Sequence, residues 1–429
     1  MTGDLKRLIY LVFVLVFLGL VARNGGLLLL AIPLLIYIAA ARLFSPEEPH
    51  LQASRSIGAN LISQEKPVTI QINVTNQGSD LAELYLEDPV SPGFKILSGQ
   101  AHRLVSLPSG KSVELEYTLK GKRGLYRFGG IRVRAGDHFG LFPVHRFLSL
   151  PGQLLIMPQV LRLKRIEIRP RQTRGFAGPI PARQPGSGTD FFGVREYQLG
   201  DSLRRINWRV AARHAQDLFT NEFEQERIAD VGLILDARKR INIQSSGGDL
   251  FDHAVTATAS LADAFLKDGH RVGLLIYGYS LERVFPGYGK FQRERILRSL
   301  AKAETGMNYA LESLKNLPTR LFPAHSQLVL VSPLVPDDLQ VLTRFRAYGY
   351  EILVISPDAV QFEADARGFD LNREFPARLA RIERALLLRR LKQAGIQVVD
   401  WHIDHPLDQL IQAVSKHHSA RRRVLEAAP

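Results

Sequence analysis

The sequence predicts a membrane-attached protein of mixed class, in which an all-β domain precedes an α/β domain with a parallel sheet. Two almost wholly apolar runs, 8–22 and 25–41, come first, and short strands separated by turn residues follow. From residue 229 onward, apolar strands alternate with helical segments. We therefore divide the 429 residues into four parts. They are a transmembrane hairpin (1–45), a β-sandwich domain (50–160), an Arg-rich linker with a signature segment (161–228) and an α/β domain (229–425).

The two apolar runs predict a tight pair of transmembrane helices. Each run is near the lower limit for crossing a hydrocarbon core of roughly 30 Å. Lys6, Arg7 and Arg42 flank the pair, whereas the short turn holds only Arg23. Basic flanks favour the cytoplasmic side, so we expect a two-pass protein of the plasma membrane with both termini and the soluble domains in the cytoplasm. A cleaved signal peptide is the alternative, but no small-x-small cleavage motif follows the first run.

Residues 50–160 are expected to form an antiparallel sandwich of the immunoglobulin or fibronectin type. The predicted strands alternate apolar and polar residues and are separated by Gly, Pro and Asn turns. These strands are 68–74, 82–86, 112–119, 131–135 and 154–157.

The C-terminal part is expected to contain a parallel sheet covered by helices on both faces, because its strands are almost continuously apolar. Its predicted strands are 231–235, 271–277, 327–332, 351–356 and 396–401. Its predicted helices are 250–267, 293–302, 309–316, 338–348, 377–394 and 408 to about 423. Ligands usually bind in the crevice at the carboxyl ends of such strands.

Positive charge is concentrated between the two folded parts. Residues 161–215 hold 12 Lys or Arg and four Asp or Glu. This segment could attract an anionic lipid surface or nucleic acid, or pair internally with Glu222, Glu224 and Glu226. No nucleic-acid-binding module is recognisable, so nucleic acid is the least favoured of these. Within the segment, 175–190 is predicted to be a flexible connector because it is rich in Gly and Pro.

The most informative segment is 191–208, whose sequence is FFGVREYQLGDSLRRINW. It is followed by further arginines, an acidic run and an apolar strand ending at Asp236. This order resembles the signature of the family called domain of unknown function 58, a von Willebrand A-like family often paired with MoxR-type AAA+ ATPases. The resemblance covers nearly the whole chain and implies a von Willebrand A-like fold for the C-terminal domain. The signature positions are Gly193, Arg195, Tyr197, Gly200, Asp201, Arg204, Asn207, Trp208 and Arg213.

The signature segment has two interpretations. Its charged residues could form a buried or semi-buried network that clasps the segment to the first strand, with Trp208 anchored against the sheet. Alternatively, they could bind an anionic ligand or a partner protein. We favour a structural or partner-docking role over small-molecule catalysis.

The resemblance also raises the question of a metal site. Von Willebrand A domains that bind Mg²⁺ use Asp-x-Ser-x-Ser after the first strand, whereas the matching positions here are Asp236, Arg238 and Arg240. A later strand ends in Ser332 where an Asp would be expected. Because cationic side chains repel a divalent ion, we predict no bound metal and no cofactor. Asp236 is then expected to pair with an arginine or to cap the following turn.

These observations predict a membrane-tethered, non-enzymatic scaffold or adaptor. The family resemblance implies that it works with a MoxR-type AAA+ ATPase in protein assembly, maturation or envelope stress. The chain has no Cys and no Gly-x-Ser-x-Gly nucleophile motif. An enzyme that uses the strand-end crevice remains an alternative, since Asp400, His402 and Asp404 would share one face of a strand. An anionic-lipid or nucleic-acid binder through 161–215 is the other alternative.

Overall fold

The computed structural model describes residues 3–43, 45, 48–136, 139–164, 166, 168, 180–214, 217–245, 248–308, 311, 313–318, 321–367 and 371–414. The chain divides into two compact units, Met1–Met157 and Pro158–Pro429. The fold is mixed, with helices and several sheets.

The first unit begins with helices α1 (Gly3–Val21) and α2 (Gly25–Leu43). Arg23, between them, has a φ of 50°, and the side chain of Asn24 accepts a hydrogen bond from the amide of Gly26. Among the described helices, α2 is the one that is long and apolar enough to cross a membrane by length and composition. It contains the predicted span 25–41. Residues 8–21 of the first apolar run lie in α1, whose first two turns carry Asp4, Lys6 and Arg7.

The rest of the first unit contains two sheets. One is antiparallel, in the order β1 (Leu51–Ile57), β3 (Val68–Asn76), β7 (Ser112–Gly121) and β5 (Phe94–Gly99). The other has the order β2 (Leu61–Ser63), β9 (Val144–Met157), β8 (Gly124–Gly136), β4 (Leu81–Glu87) and β6 (His102–Leu107). Buried residues of both sheets, such as Ile72, Tyr117 and Ile131, form one hydrophobic core.

The five strands predicted in this unit all exist, whereas β1, β2, β5 and β6 were not predicted. The predicted strands β3 and β7 alternate buried and less buried residues. By contrast, β5 is exposed along most of its length, so it lacks the alternation by which strands are recognised.

In the second unit, β10 (Ile180–Glu196) and β11 (Phe219–Arg227) form an antiparallel pair, and the short helix α3 (Trp208–Ala211) lies between them in sequence. The prediction of a flexible connector at 175–190 was therefore wrong from Ile180 onward, while 175–179 lie outside the described residues. Register shifts near Pro185 and Phe191 let the pair accommodate residues that would interrupt a regular ladder.

A six-stranded sheet forms the centre of the second unit. Its order is β16 (Leu281–Gly287), β15 (Arg271–Tyr277), β12 (Asp230–Asp236), β17 (Gln327–Val331), β18 (Glu351–Pro357) and β19 (Gln397–Trp401). The five predicted strands are parallel to one another, and β16, which was not predicted, is antiparallel to β15. All seven residues of β12 are buried, as expected for a central strand covered on both faces.

The helices of this unit are α4 (Leu250–Lys267), α5 (Gly289–Lys302), α6 (Asp338–Ala347), α7 (Ala359–Arg367), α8 (Leu371–Gln393) and α9 (407–414). A two-residue strand pair, β13 (Gln244–Ser245) and β14 (Gly248–Asp249), precedes α4. The predicted helix 309–316 is replaced in its described part by a 3₁₀ turn at Leu314–Asn316, and residues 309, 310 and 312 lie outside the described residues. The predicted helix from 408 is described as far as residue 414.

Candidate functional site

The signature segment is organised around one half-buried ion pair. Arg195, near the end of β10, donates from Nη2 and Nη1 to the two carboxylate oxygens of Asp201 at 2.7 and 2.8 Å. Its Nε donates to Glu222 on β11 at 2.8 Å. Asp201 also accepts a hydrogen bond from the backbone amide of Gln198 at 2.9 Å. The segment is thus folded back on β11 by one guanidinium shared between two carboxylates.

These contacts shift the pKa values of both partners. The hydrogen bond from Arg195, followed by the one from the Gln198 amide, holds the pKa of Asp201 below its ordinary value. The hydrogen bond to Asp201 in turn raises the pKa of Arg195. Both shifts favour the charged forms, so the pair stays ionised at neutral pH.

The other polar signature residues shape the loop. The hydroxyl of Tyr197 donates to the carbonyl of Asp201 at 3.2 Å, and Gly200 has a φ of 110°, which favours glycine. The side-chain Oδ1 of Asn207 accepts a hydrogen bond from the backbone amide of Val210 at 3.1 Å and so caps α3. The side-chain Nδ2 of Asn207 donates to the side chain of Asn221 on β11 at 2.8 Å. Gly193 pairs with Glu222 in the ladder of β10 and β11.

Two expectations about the signature were wrong. Trp208 is 67% exposed and does not anchor the segment against the sheet; Ile206 is the buried side chain of this turn. Arg204 and Arg213 were expected in the charge network but are exposed. The network itself is half-buried, which is one of the two forms expected, and is centred on Arg195. The exposed residues Leu199, Leu203, Arg204, Trp208 and Arg213 are called here the signature surface. Such exposure of large apolar side chains is typical of an interaction site.

A second polar site lies at the carboxyl end of β12 and is fully buried. Arg238 is 2% exposed, and its Nη2 contacts the carboxylates of Asp236 at 2.6 Å and Asp338 at 2.8 Å. Its Nε lies 2.9 and 3.1 Å from the two oxygens of Asp236. The Ser332 hydroxyl donates to Asp236 at 2.7 Å, so a residue after β17 completes the site. We call these side chains the Arg238 cluster.

Burial and ion pairing oppose each other in the Arg238 cluster. Burial raises the pKa of Asp338 above its ordinary value, although the hydrogen bond and charge of Arg238 oppose the rise. For Arg238, burial disfavours the cation, but the charge of Asp236 and the hydrogen bonds to both carboxylates raise its pKa. Burial also raises the pKa of the neighbouring Tyr277 to about 12.

The residues of this site do not fit a divalent cation. The guanidinium of Arg238 lies between the carboxylates of Asp236 and Asp338, where it supplies the positive charge that they require. Asp236 both pairs with an arginine and accepts the amide of Arg238 at 3.1 Å, which are the two roles considered for it. Arg240 is exposed. The sequence did not predict a role for Asp338, because Asp338 lies 100 residues after Arg238, at the start of α6. No local motif connects it to Asp236 or Arg238.

A third polar site lies at the carboxyl ends of β18 and β19. Arg384 of α8 donates to the Asp400 carboxylate at 2.6 Å and to the Ser356 carbonyl at 3.0 Å, and its Nε lies 3.4 Å from Asp358. Nδ1 of His402 lies 3.5 Å from the other oxygen of Asp358.

Asp400, His402 and Asp404 do not share one face of a strand, because β19 ends at Trp401 and Asp404 lies in the following turn. Among the residues that the structure describes, no group of three or more His, Asp or Glu could hold a metal ion. Arg384 lies in a basic helix and carried no signal of a role in the sequence.

Comparison with known proteins supports the family resemblance. Residues 193–362 match the model of the family described as Protein of unknown function DUF58. That match begins in the signature segment and includes every member of the Arg238 cluster.

Two curated relatives are also uncharacterised. Over 271 residues the chain is 30% identical to the uncharacterized protein YeaD of Bacillus subtilis, covering 61% of this chain and 65% of that protein. It is 29% identical over 118 residues to the uncharacterized protein Rv1480 of Mycobacterium tuberculosis, covering 27% of this chain and 37% of that protein. The matches therefore span less than two thirds of either relative. The cupredoxin domain of amoB from Nitrosocaldus yellowstonii aligns with 25% of this chain and 86% of its own at 9% identity, with a TM-score of 0.19, which is too low to indicate a shared fold.

Proposed function

We propose that this protein is a membrane-anchored, non-enzymatic adaptor that docks a partner protein through the signature surface. The observation that carries the proposal is the contrast within the signature segment. Its half-buried ions, Arg195, Asp201 and Glu222, pair with one another, whereas Leu203 and Trp208 are 69% and 67% exposed. Trp and Arg, which this loop presents to solvent, are enriched in protein-binding hot spots. The exposed Leu side chains add apolar surface around them.

The finer fold assignments support the same interpretation. The central sheet of the second unit has its third strand in sequence, β16, at one edge and antiparallel, followed by the second, first, fourth, fifth and sixth strands. This order supports a von Willebrand A-like domain. The common core of the two sheets in the first unit likewise supports a β-sandwich.

The Arg238 cluster and the Arg384 site favour an adaptor over an enzyme. A catalytic acid or base needs a side chain that can exchange a proton with a substrate. The carboxylates of Asp236 and Asp338 are held by Arg238, and those of Asp358 and Asp400 by Arg384. Each pair of carboxylates thus already shares one guanidinium within the protein.

We propose that the N-terminal part holds the protein in the plasma membrane with two passes, α1 and α2, and with the folded units in the cytoplasm. The apolar composition of α2 and the basic flanks Lys6, Arg7 and Arg42 support this arrangement. Protease treatment of intact spheroplasts tests it. The chain beyond residue 50 should survive until the membrane is permeabilised, and digestion before permeabilisation would overturn the orientation.

By family resemblance, we propose that the partner is a MoxR-type AAA+ ATPase. The two proteins would act together in protein assembly, maturation or envelope stress. The test is a binding titration between the full chain in detergent and the ATPase encoded in the same genome. Trp208→Glu should weaken binding at least about 30-fold, because a central Trp anchor is commonly worth about 2 kcal/mol or more.

The matched control is Phe285→Glu on β16, because Phe285 is 64% exposed and lies outside the signature segment. The Phe285→Glu variant should bind the ATPase with the same affinity as the wild-type protein. If both variants weaken binding equally, the signature surface is not the docking site. If the wild-type protein does not bind the ATPase, the ATPase is not the partner.

A further inference from the structure

Helix α8 carries apolar residues on two opposite faces. On its inner face, Leu387, Leu388 and Leu391 are buried in the core beneath the parallel sheet. On its outer face, four large apolar residues recur at intervals of four, three and four positions, which places them along one side of a helix. They are Phe375, Leu379, Ile382 and Leu386, with exposures of 77%, 49%, 53% and 47%. We call these four side chains the outer stripe.

Basic side chains border the outer stripe. At about 100° per residue, Arg378 and Arg389 lie along one side of the stripe, and Arg390 lies along the other. All three are exposed, as are Arg381 and Lys392 farther around the helix. Between 375 and 393, where every side chain is described, the exposed acid is Glu383. The outer face of α8 is therefore a basic amphipathic surface.

We propose that α8 lies on an anionic membrane surface, with the outer stripe inserted among the lipid headgroups and its arginines paired with lipid phosphates. An exposed apolar stripe with basic borders is the composition of helices that lie in the membrane interface. The proposal rests on the membrane anchorage proposed above, because the anchor keeps the second unit near a bilayer.

The position of Arg389 favours a lipid surface over a second helix. In a paired-helix seam, the intervals of four and three that define the outer stripe continue from Leu386 to residue 389. A guanidinium at that position would be buried in the seam without a partner, which is costly. At a bilayer surface the same side chain lays its aliphatic stem along the apolar region and keeps its charge among phosphates.

The absence of cysteine from the 429 residues allows a direct test, because any introduced cysteine is the single labelling site. The full chain carrying Ile382→Cys is labelled with a nitroxide and reconstituted into nanodiscs of phosphatidylglycerol or of phosphatidylcholine. Collision rates with oxygen and with a water-soluble nickel chelate then report whether the label lies in lipid or in water. The matched control is Arg344→Cys, an exposed position on α6.

We expect the label at 382 to be protected from the nickel chelate in phosphatidylglycerol discs and accessible in phosphatidylcholine discs, with the control accessible in both. Arg378→Glu combined with Arg389→Glu should restore access in phosphatidylglycerol. At about fivefold in membrane partitioning per basic side chain, the loss of two cations lowers the partition constant of α8 at least about 25-fold. Arg295→Glu with Lys302→Glu, two exposed positions on α5, makes the same change in net charge and should leave protection intact.

Three outcomes overturn the inference. They are an accessible label at 382 in anionic discs, equal protection in both lipids, and protection that instead coincides with a short distance between labels of two chains, which would indicate helix pairing. Retention of the chain on the disc is measured first and separates this test from the anchorage proposal. If the chain is not retained, the anchorage proposal fails. The free chain is then tested by sedimentation with phosphatidylglycerol vesicles, where failure to sediment overturns the role of α8 as well.

Discussion

The Arg238 cluster predicts a large loss of stability on a single substitution, Asp338→Ala. Asp338 is buried and accepts three hydrogen bonds: from Nη1 and Nη2 of Arg238 at 3.2 and 2.8 Å, and from the amide of Val335 at 3.0 Å. Breaking a buried ion pair from one side costs about 3–5 kcal/mol because the remaining charge stays desolvated. Arg238 keeps Asp236 as a partner, so we expect the lower end, about 3 kcal/mol. This is a large part of the 5–15 kcal/mol by which a typical domain is stable.

The two tryptophans of the chain provide the assay. Trp401 is 4% exposed at the end of β19, within the same sheet as β12, whereas Trp208 is exposed. In a Trp208→Phe background, Trp401 fluorescence therefore reports unfolding of the second unit in the full-length protein. With a denaturant dependence of about 2–3 kcal/mol per molar urea, a loss of about 3 kcal/mol moves the midpoint by about 1–1.5 M.

The neighbouring Asp337 gives a matched control. It precedes α6, is exposed, and makes no capping hydrogen bond with its side chain. Asp337→Ala should change stability by no more than about 0.5 kcal/mol, as surface substitutions usually do. A urea midpoint for Asp338→Ala that lies within about 0.3 M of the Asp337→Ala midpoint would refute the energetic role assigned to the buried pair.

Three further predictions concern the polar sites. Wild-type protein should show no saturable heat of Mg²⁺ or Mn²⁺ binding at millimolar concentration, because Arg238 occupies the site between the carboxylates; a binding signal abolished by Asp236→Ala would contradict this. The pKa of Asp201 is lowered by folding, so its contribution to stability is present above the ordinary value of 3.8 and is lost as pH falls through the folded value. Hydrogen exchange of the Gln198 amide, corrected for intrinsic rates, should therefore accelerate below about pH 4, and Asp201→Asn should remove that pH dependence. Arg384→Ala should accelerate hydrogen exchange in β19 relative to β12, because Arg384 links α8 to β18 and to the edge strand β19, and unchanged exchange in β19 would count against that link.

The sequence predicted much of the fold, for identifiable physical reasons. The strands of the parallel sheet are short apolar runs between amphipathic helices, and α4 and β15 were predicted with the bounds that they have. The elements that were missed lack such a pattern. The edge strand β16 alternates imperfectly and contains Pro286, and β10 contains prolines and glycines that local rules assign to a loop. Pairing with β11 decides the conformation of β10, and pairing between distant segments is not visible in local composition.

The site residues also divide into contacts that the sequence could predict and contacts that it could not. The contact between Asp236 and Arg238 joins residues two positions apart, so the sequence could suggest it. Asp338 and Arg384 reach their partners only through the packing of α6 and α8, and no spacing rule connects them. Burial was the hardest property to predict. Trp208 is a large aromatic residue and was expected to be buried, but it lies in a four-residue helix at the surface.

The covalent attachment of the cation in the Arg238 cluster has a consequence for regulation. A protein that holds a free ion is stabilised in proportion to the logarithm of the ion concentration, and a chelator can remove that stabilisation. Here the cation is the Arg238 side chain, which is part of the polypeptide and cannot dissociate or exchange. The Arg238 cluster therefore keeps its cation whatever the supply of divalent ions in the cell.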